Sequence, residues 1–424
     1  MNKKHIALTK ILLNFILIGF CVTNSFAQAD TLKEKLMVQK FYALHQQPLY
    51  WLSSVKGIER AKEWLTRIDS SANLGIMPDK LNSDHIHGVL LSKISLDASV
   101  REQQDKQITG TVLKFIKNLQ EGNIKFDYDG IRISRDSVYI NQLLSTQPSE
   151  PVYQIVSRLD CKDRDYVILK EFMKDSITLM DPLKYKKVAL AMNYRRYFTL
   201  YQPTEYIVVN IPATEARYYH NDVLRIKMRT VVGKKEAPTP TIASYITNIV
   251  TFPHWNVPQK IGVKEILPKV QLHENYLEQN NYDVVNANGK VVDDSKLKWK
   301  NYTEENFPYF FRQSTGSRNS LGVIKFNLQN PFDIFLHSTS WKGAFEKKLR
   351  FLSHGCVRLE KPLELAQILL EDKIDIKELK GGKKNTESKT IKLPNKIPVF
   401  IVYVPVTVAG NKVTFLKDEY DLIK

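Results

Sequence analysis

The feature that most constrains the fold is a change of pattern near Gln202. Before it, apolar residues recur at three- and four-residue spacing, as in GIERAKEWLTRIDSSANLGI, which predicts amphipathic helices. After it, segments such as VLRIKMRTVVG alternate between apolar and polar residues over strand lengths. We therefore predict an α+β chain, with a helical domain over 28–200 followed by a β-rich domain over 201–424.

The β-rich region contains a polar stretch that is too long for a simple connection. Between Gly262 and Ser320 the chain is rich in Asn, Lys and Asp, but it also carries Tyr, Phe and Trp. These aromatic residues argue against full disorder, although a disordered loop is the alternative. We predict a folded insertion over residues 263–319, which forms a lobe or lid.

The N-terminal residues have the composition of an export signal. Three lysines in the first ten residues precede the apolar run ILLNFILIGFCV, and NSFAQA follows. This order predicts a signal peptide over 1–27 that is cleaved after Ala27. The apolar run is shorter than a membrane-spanning helix requires, and an uncleaved inner-membrane anchor is the alternative.

The net charge narrows the classes of partner. The chain carries a formal charge of +17, and loss of the signal peptide would reduce it to about +14. An exported protein meets little nucleic acid, so we predict no nucleic-acid partner. Anionic wall polymers, acidic peptide stems and lipid surfaces are the partners that this charge favours, and a generally basic, soluble surface is the alternative.

Signal cleavage would leave two cysteines, Cys161 and Cys356. They could form one structural disulfide, since export permits it. The segment FLSHGCVRLEKP favours a nucleophile at Cys356 instead. A thiolate is stabilised by nearby cations, by a helix N-terminus and by an imidazole partner. Arg358 and the helix predicted to begin at Pro362 would supply the first two.

His337 is the candidate base for this thiol. It ends the strand-like run FDIFLH, nineteen residues before Cys356, and a strand would hold it rigidly. His337, His354 and Cys356 could alternatively ligate zinc, but no fourth ligand is evident. We therefore predict no metal at this site.

The segment HSTSWKGAFEKKLRFLSHGC carries a specific motif. His337 is followed by a fifteen-residue spacer, 338–352, and then by Ser353, His354, Gly355 and Cys356. This arrangement resembles the catalytic signature of the L,D-transpeptidases with a YkuD-type catalytic domain.

Looser similarity extends over nearly all of the mature chain, while its specificity lies in residues 228–360. VVGKKEAPTPT resembles the Gly-Lys and Thr-Pro stretch of this family, and SLGVIKF resembles a stretch of its large, scaffold-bearing branch from diderm bacteria. The chain departs from that branch at two positions, with Phe335 in place of Tyr and Ser338 in place of Asp. The resemblance implies a helical scaffold domain, a β-rich catalytic domain with a capping lobe, and a periplasmic location.

The resemblance also implies roles for the motif residues. Cys356 would attack a peptidoglycan stem peptide, and His337 would accept the thiol proton. The backbone carbonyl of Ser338 would orient the imidazole. The backbone N–H groups of Gly355 and Cys356 would stabilise the oxyanion.

Further residues are implied in the pocket. Ser353 and His354 would shape it, and Arg358 would bind a stem carboxylate such as that of diaminopimelate. Phe335 and Trp255, together with the inserted lobe, would line the donor groove. A role for Trp255 as a core aromatic is the alternative.

The implied activity is the formation of 3→3 cross-links between stem peptides through a cysteine thioester, without a cofactor, by an enzyme that carbapenems acylate. Water or a protein lysine as the acceptor would instead give carboxypeptidase activity or protein attachment. A wall-binding scaffold with little catalysis is a further alternative. The helical domain would contact cell-wall synthesis partners in the periplasm.

Overall fold

The computed structural model describes residues 32–77, 81, 83–91, 97–174, 181–201, 203–316, 318–371, 379 and 387–423. The predicted signal peptide, 1–27, lies outside these residues. The α+β class is confirmed, since helices dominate one compact unit and a large sheet dominates the other. None of the described helices is both long enough and apolar enough to span a bilayer.

The two units are not divided by a single cut in the chain. The helical unit comprises the residues up to Ile124 together with Ile133–Tyr201 and Val406–Thr414. The β-rich unit comprises Lys125–Arg132, Gln202–Pro405 and Phe415–Lys424. Two short segments thus belong to a different unit from their chain neighbours.

The helical unit buries an apolar cluster that includes Trp51 and Trp64. Several of its helices begin at polar caps; for example, the Asp97 carboxylate accepts hydrogen bonds from the N–H groups of Ser99 and Val100. The described helices are 32–45, Val55–Asp69, Ser83–Leu91, Ala98–Glu121, Asp136–Leu144, Val152–Leu159, Arg164–Met173 and Pro182–Leu200.

The main sheet of the β-rich unit runs in the order β1-β5-β13-β2-β3-β4-β12-β10-β9, and β9 pairs again with β5, so that the sheet closes on itself. The strands are β1 (Tyr128–Asp129), β2 (Glu205–Asn210), β3 (Glu215–His220), β4 (Val223–Gly233), β5 (Ile242–Thr251), β6 (Trp255–Asn256), β7 (Tyr282–Val285), β8 (Phe310–Gln313), β9 (Ile324–Leu328), β10 (Phe335–His337), β11 (Phe351–Ser353), β12 (Val357–Leu359), β13 (Lys389–Val402), β14 (Val406–Ala409) and β15 (Lys412–Phe415).

The insertion is a folded lobe with its own apolar core. Strands β6, β8 and β7 form its sheet. Trp255 pairs with Gln313 near the points where the chain enters and leaves the lobe. A helical run, Gln259–Ile261, Gly262–Ile266 and Leu267–Leu272, packs with this sheet and widens to a π-helical turn in its middle segment. The lobe therefore begins before residue 263, because the short strand β6 belongs to it.

A helix follows the cysteine segment, as predicted, and spans Pro362–Leu369 with proline in its first turn. Strand β12 lies between Cys356 and this helix in the chain. Three extended residues cover roughly 10 Å, and the field of a helix terminus fades within about one turn. Activation of the thiol by this helix N-terminus therefore stays a prediction.

Candidate active site

Three neighbouring strands assemble the site. β10 pairs with β12 in parallel, which sets His337 beside Arg358. β10 pairs with β9 in antiparallel orientation, which sets His337 opposite Lys325. The strand FLH is short and places its histidine at the end of the sheet, with only 4% of the residue exposed.

The imidazole of His337 is held in its neutral form. Burial, together with the charges of Arg358 and Lys325, lowers the pKa of His337 to about 3. The backbones of Ser338 and Leu321 act in the opposite direction, but they do not outweigh burial. The Nδ1 atom is buried and has no hydrogen-bond partner among the described residues. A neutral ring with an unused nitrogen can accept a proton.

Cys356 lies in the turn between β11 and β12. Gly355 precedes it with a φ of 115°, a conformation that a residue with a Cβ rarely adopts. The Sγ atom lies 3.7 Å from the carbonyl oxygen of Asp333, and the side chain packs partly against the core. Burial raises the pKa of Cys356 to about 11, although the N–H of Phe335 and the charge of Lys325 favour the thiolate.

Ser353 braces the turn that carries the thiol. Its hydroxyl donates to the carbonyl oxygen of Cys356 at 2.6 Å and accepts the Gly355 N–H at 3.2 Å. The hydroxyl of Thr239 donates to the Gly355 carbonyl at 2.7 Å. The Gly355 N–H is thus already bonded, and a role in an oxyanion hole would require that it release Ser353.

His354 connects this turn to the inserted lobe. Its Nε2 lies 2.6 Å from Oε1 of Glu265, in the π-helical turn of the lobe, and 3.3 Å from Nζ of Lys234. The sequence did not point to Glu265, because only the fold brings it next to the cysteine turn.

Arg358 offers a cation that forms no ion pair with the described residues. Its guanidinium carbon lies 5.9 Å from the ring centroid of Trp341, and its buried Nε has no hydrogen-bond partner within the described part of the chain. Burial lowers the pKa of Arg358, whereas negative charge on Cys356 would raise it. Such a cation can bind a ligand carboxylate.

Lys325 is a residue that the sequence reasoning missed. Its Nζ lies 4.0 Å from the ring centroid of Phe335, and that ring lies 5.5 Å from the imidazole of His337. The signal was a lysine inside the otherwise apolar run VIKF, directly before the strand of the candidate base.

The structure places the other predicted residues as follows. Ser338 is buried next to His337, and its N–H donates to the carbonyl of Ile324 at 2.9 Å. Trp255 packs against the core of the lobe, with its ring 6.5 Å from that of Tyr282. Its contacts therefore match the alternative of a core aromatic.

Both described cysteines, Cys161 and Cys356, are free thiols, so the alternative disulfide is not formed. Burial raises the pKa of Cys161 as well, and its Sγ lies 3.5 Å from the hydroxyl of Thr199. In the described ranges, no three His, Cys, Asp or Glu side chains are grouped to hold a metal ion.

Two protein families match separate parts of the chain. Residues 204–388 match the L,D-transpeptidase catalytic domain of the YkuD family. Residues 37–173 match the family described as a scaffold domain. The two matches follow one another in the order of the helical and β-rich regions.

A curated protein is similar in sequence to about half of the chain. A Haemophilus influenzae protein named "Putative L,D-transpeptidase" is 36% identical over 234 residues, which is 54% of this chain and 47% of that protein. The chain therefore spans about half the length of this curated relative.

Two solved structures are also similar. The catalytic domain of an Enterococcus faecium L,D-transpeptidase acylated by ertapenem is 14% identical, with coverage of 47% of this chain and 98% of that one and a TM-score of 0.23. An L,D-transpeptidase from Mycobacterium smegmatis is 12% identical, with coverage of 47% and 58% and a TM-score of 0.23. These scores are too low to support an argument about chemistry. The family matches and the curated relative confirm the family expected from the motif: the chain carries a scaffold domain followed by an L,D-transpeptidase catalytic domain of the YkuD family.

Proposed function

We propose that the protein is a peptidoglycan L,D-transpeptidase that forms 3→3 cross-links through a thioester on Cys356. The observation that carries this proposal is the site itself: Cys356 is a free thiol in the turn before β12, and β12 pairs directly with β10, the strand that carries the buried, neutral His337. The family match supports the coarse activity, and the finer chemistry is our inference from these residues.

Acylation follows from the protonation states. The Sγ atom attacks the carbonyl between the third and fourth residues of a donor stem while its proton passes to His337. The tetrahedral intermediate collapses, the C–N bond breaks, and the terminal D-alanine leaves with that proton on its amine. Cys356 is left as a thioester.

Deacylation reverses these roles. An amine of a second stem attacks the thioester carbonyl and passes a proton to His337. The C–S bond then breaks, and the sulfur takes the proton back. If water attacked instead, the product would be a shortened stem, and if a protein lysine attacked, it would be an attached protein.

Arg358 is the residue that we assign to a stem carboxylate. Its guanidinium is half-buried beside Trp341 and forms no ion pair with any carboxylate of the described chain. A desolvated cation without a partner is costly, and a bound carboxylate would remove that cost.

We further propose that the chain is exported to the periplasm and that the helical domain contacts cell-wall synthesis partners there. The signal-like N-terminus and the net charge of +17 support this location. Fractionation of cells that express the full chain would test it, and recovery in the cytoplasm would contradict it.

Defined tetrapeptide muropeptides, with products read by mass, test the activity. Wild type is expected to yield cross-linked dimers, and Cys356→Ala should lower the yield by at least about a thousandfold, because the nucleophile is lost. Cys161→Ala is the matched control and should retain the yield. Unchanged dimer formation by Cys356→Ala would contradict the proposal, whereas shortened monomers alone would favour water as the acceptor.

A further inference from the structure

The ammonium group of Lys325 is fixed on the same side of the sheet as the candidate base. Lys325 lies directly opposite His337 in the antiparallel pair of β9 and β10, and opposite residues project to the same face. The Phe335 ring, 4.0 Å from Nζ, holds the cation by a cation–π contact. A flexible side chain is thereby confined beside the site.

No carboxylate in the described part of the chain is bonded to this cation. Among the described residues, no ion pair or hydrogen bond involves the Lys325 ammonium, and the residue is half-buried. Burial lowers the pKa of Lys325, and negative charge on Cys356 or on Asp333 acts in the opposite direction. Cys356 directly precedes Val357, which pairs with Leu336, so the register of β12 and β10 places the thiol level with Phe335, whose ring holds the ammonium. The sulfur of Cys356 is therefore one of the two negative centres that can stabilise the ammonium of Lys325.

The charged and polar groups that act on the sulfur of Cys356 come from β9, β10, β12 and the loop before β10. Lys325 on β9 and Arg358 on β12 favour a negative sulfur, whereas the Asp333 carboxylate opposes it. The Phe335 N–H on β10 favours the thiolate, and His337 is neutral. Strand β12 separates the thiol from the following helix in the chain, and the cations that act on the sulfur are the side chains of Lys325 and Arg358.

We propose that Lys325 is a positioning residue that stabilises the negative charge that develops on the sulfur of Cys356 when the thiol gives up its proton. This inference deepens the proposed function, since it concerns the same nucleophile. Lys325 does not touch the transferred peptide in this account. It acts through the sulfur, with the Phe335 ring as its support.

Alkylation of Cys356 by iodoacetamide over a range of pH tests the proposal, with the modified peptide identified by mass. Lys325→Met should move the profile to higher pH. At a fixed pH below the thiol pKa, the rate should fall about threefold to tenfold. One pKa unit changes the thiolate fraction about tenfold, and the greater nucleophilicity of a more basic thiolate offsets part of that loss.

Three further variants separate charge from packing. Lys325→Arg keeps the cation and should show the wild-type profile. Lys325→Gln should behave like Lys325→Met, and it replaces that variant in the test if Lys325→Met does not fold. Lys348→Met removes an exposed lysine of the same domain and should change nothing.

Two results would overturn the proposal. One is a Lys325→Met or Lys325→Gln profile that superimposes on that of wild type in a folded protein. The other is an equal shift in Lys325→Arg, which would assign the effect to packing. Alkylation needs neither a stem peptide nor an acceptor, so failure of the transpeptidase assay would leave this test intact.

Discussion

The thiol of Cys356 and the imidazole of His337 are both shifted by burial away from their charged forms. The pKa of His337 falls to about 3, and that of Cys356 rises to about 11. The proton therefore rests on sulfur at neutral pH, and the pair differs from a preformed thiolate–imidazolium ion pair. Because the proton starts on the sulfur, His337 has to remove it as a general base during the attack.

The pKa values of His337 and Cys356 predict how the alkylation rate of wild-type Cys356 depends on pH. His337 stays neutral above about pH 3, so within this pair only the thiol changes its charge as the pH rises from 6 to 9. The rate should rise about tenfold per pH unit over that interval. A plateau near neutral pH would contradict the prediction, since it would show a thiolate already formed.

At the scale of the elements, local patterns predicted the helices, the strand before His337 and the helix from Pro362. The strand Val357–Leu359 was not predicted, because three residues are too few to show a periodicity. Lys325 and Glu265 could not be assigned either. Strand register brings Lys325 to the site, and the packing of the lobe brings Glu265 there.

The contact between the lobe and the cysteine turn gives a prediction about one element. Glu265→Gln removes the charge that faces His354 at 2.6 Å, so amides of the lobe helix over 262–272 should exchange hydrogen faster. Glu304→Gln is the matched control, since its carboxylate pairs with Lys264 within the lobe at 3.9 Å. Equal exchange in wild type and Glu265→Gln would show that this contact does not hold the lobe.

At the scale of the whole molecule, the two units have separate apolar cores. The helical unit also depends on a buried carboxylate. Asp105 is fully buried and accepts hydrogen bonds from the N–H groups of Tyr50, Trp51 and Leu52 at 2.7–3.0 Å. Removal of this acceptor would leave these three backbone donors unsatisfied.

Asp105→Ala should therefore destabilise the helical unit by about 3 kcal/mol or more, because each unsatisfied buried donor costs about 1–3 kcal/mol. Calorimetry should show an earlier transition, while Cys356 alkylation below that temperature stays unchanged. Glu59→Ala, at an exposed position of the same unit, is the control. An unchanged melting profile would contradict the structural role of Asp105.

The central claim is that Cys356 forms a thioester with a donor stem. Intact mass measurement after brief mixing with a tetrapeptide donor, without an acceptor amine, tests this claim most directly. We predict an adduct equal in mass to the donor minus D-alanine, located on Cys356 by peptide mapping and absent from Cys356→Ala. Dimer formation without any such adduct in wild type, or the same adduct in Cys356→Ala, would contradict the account.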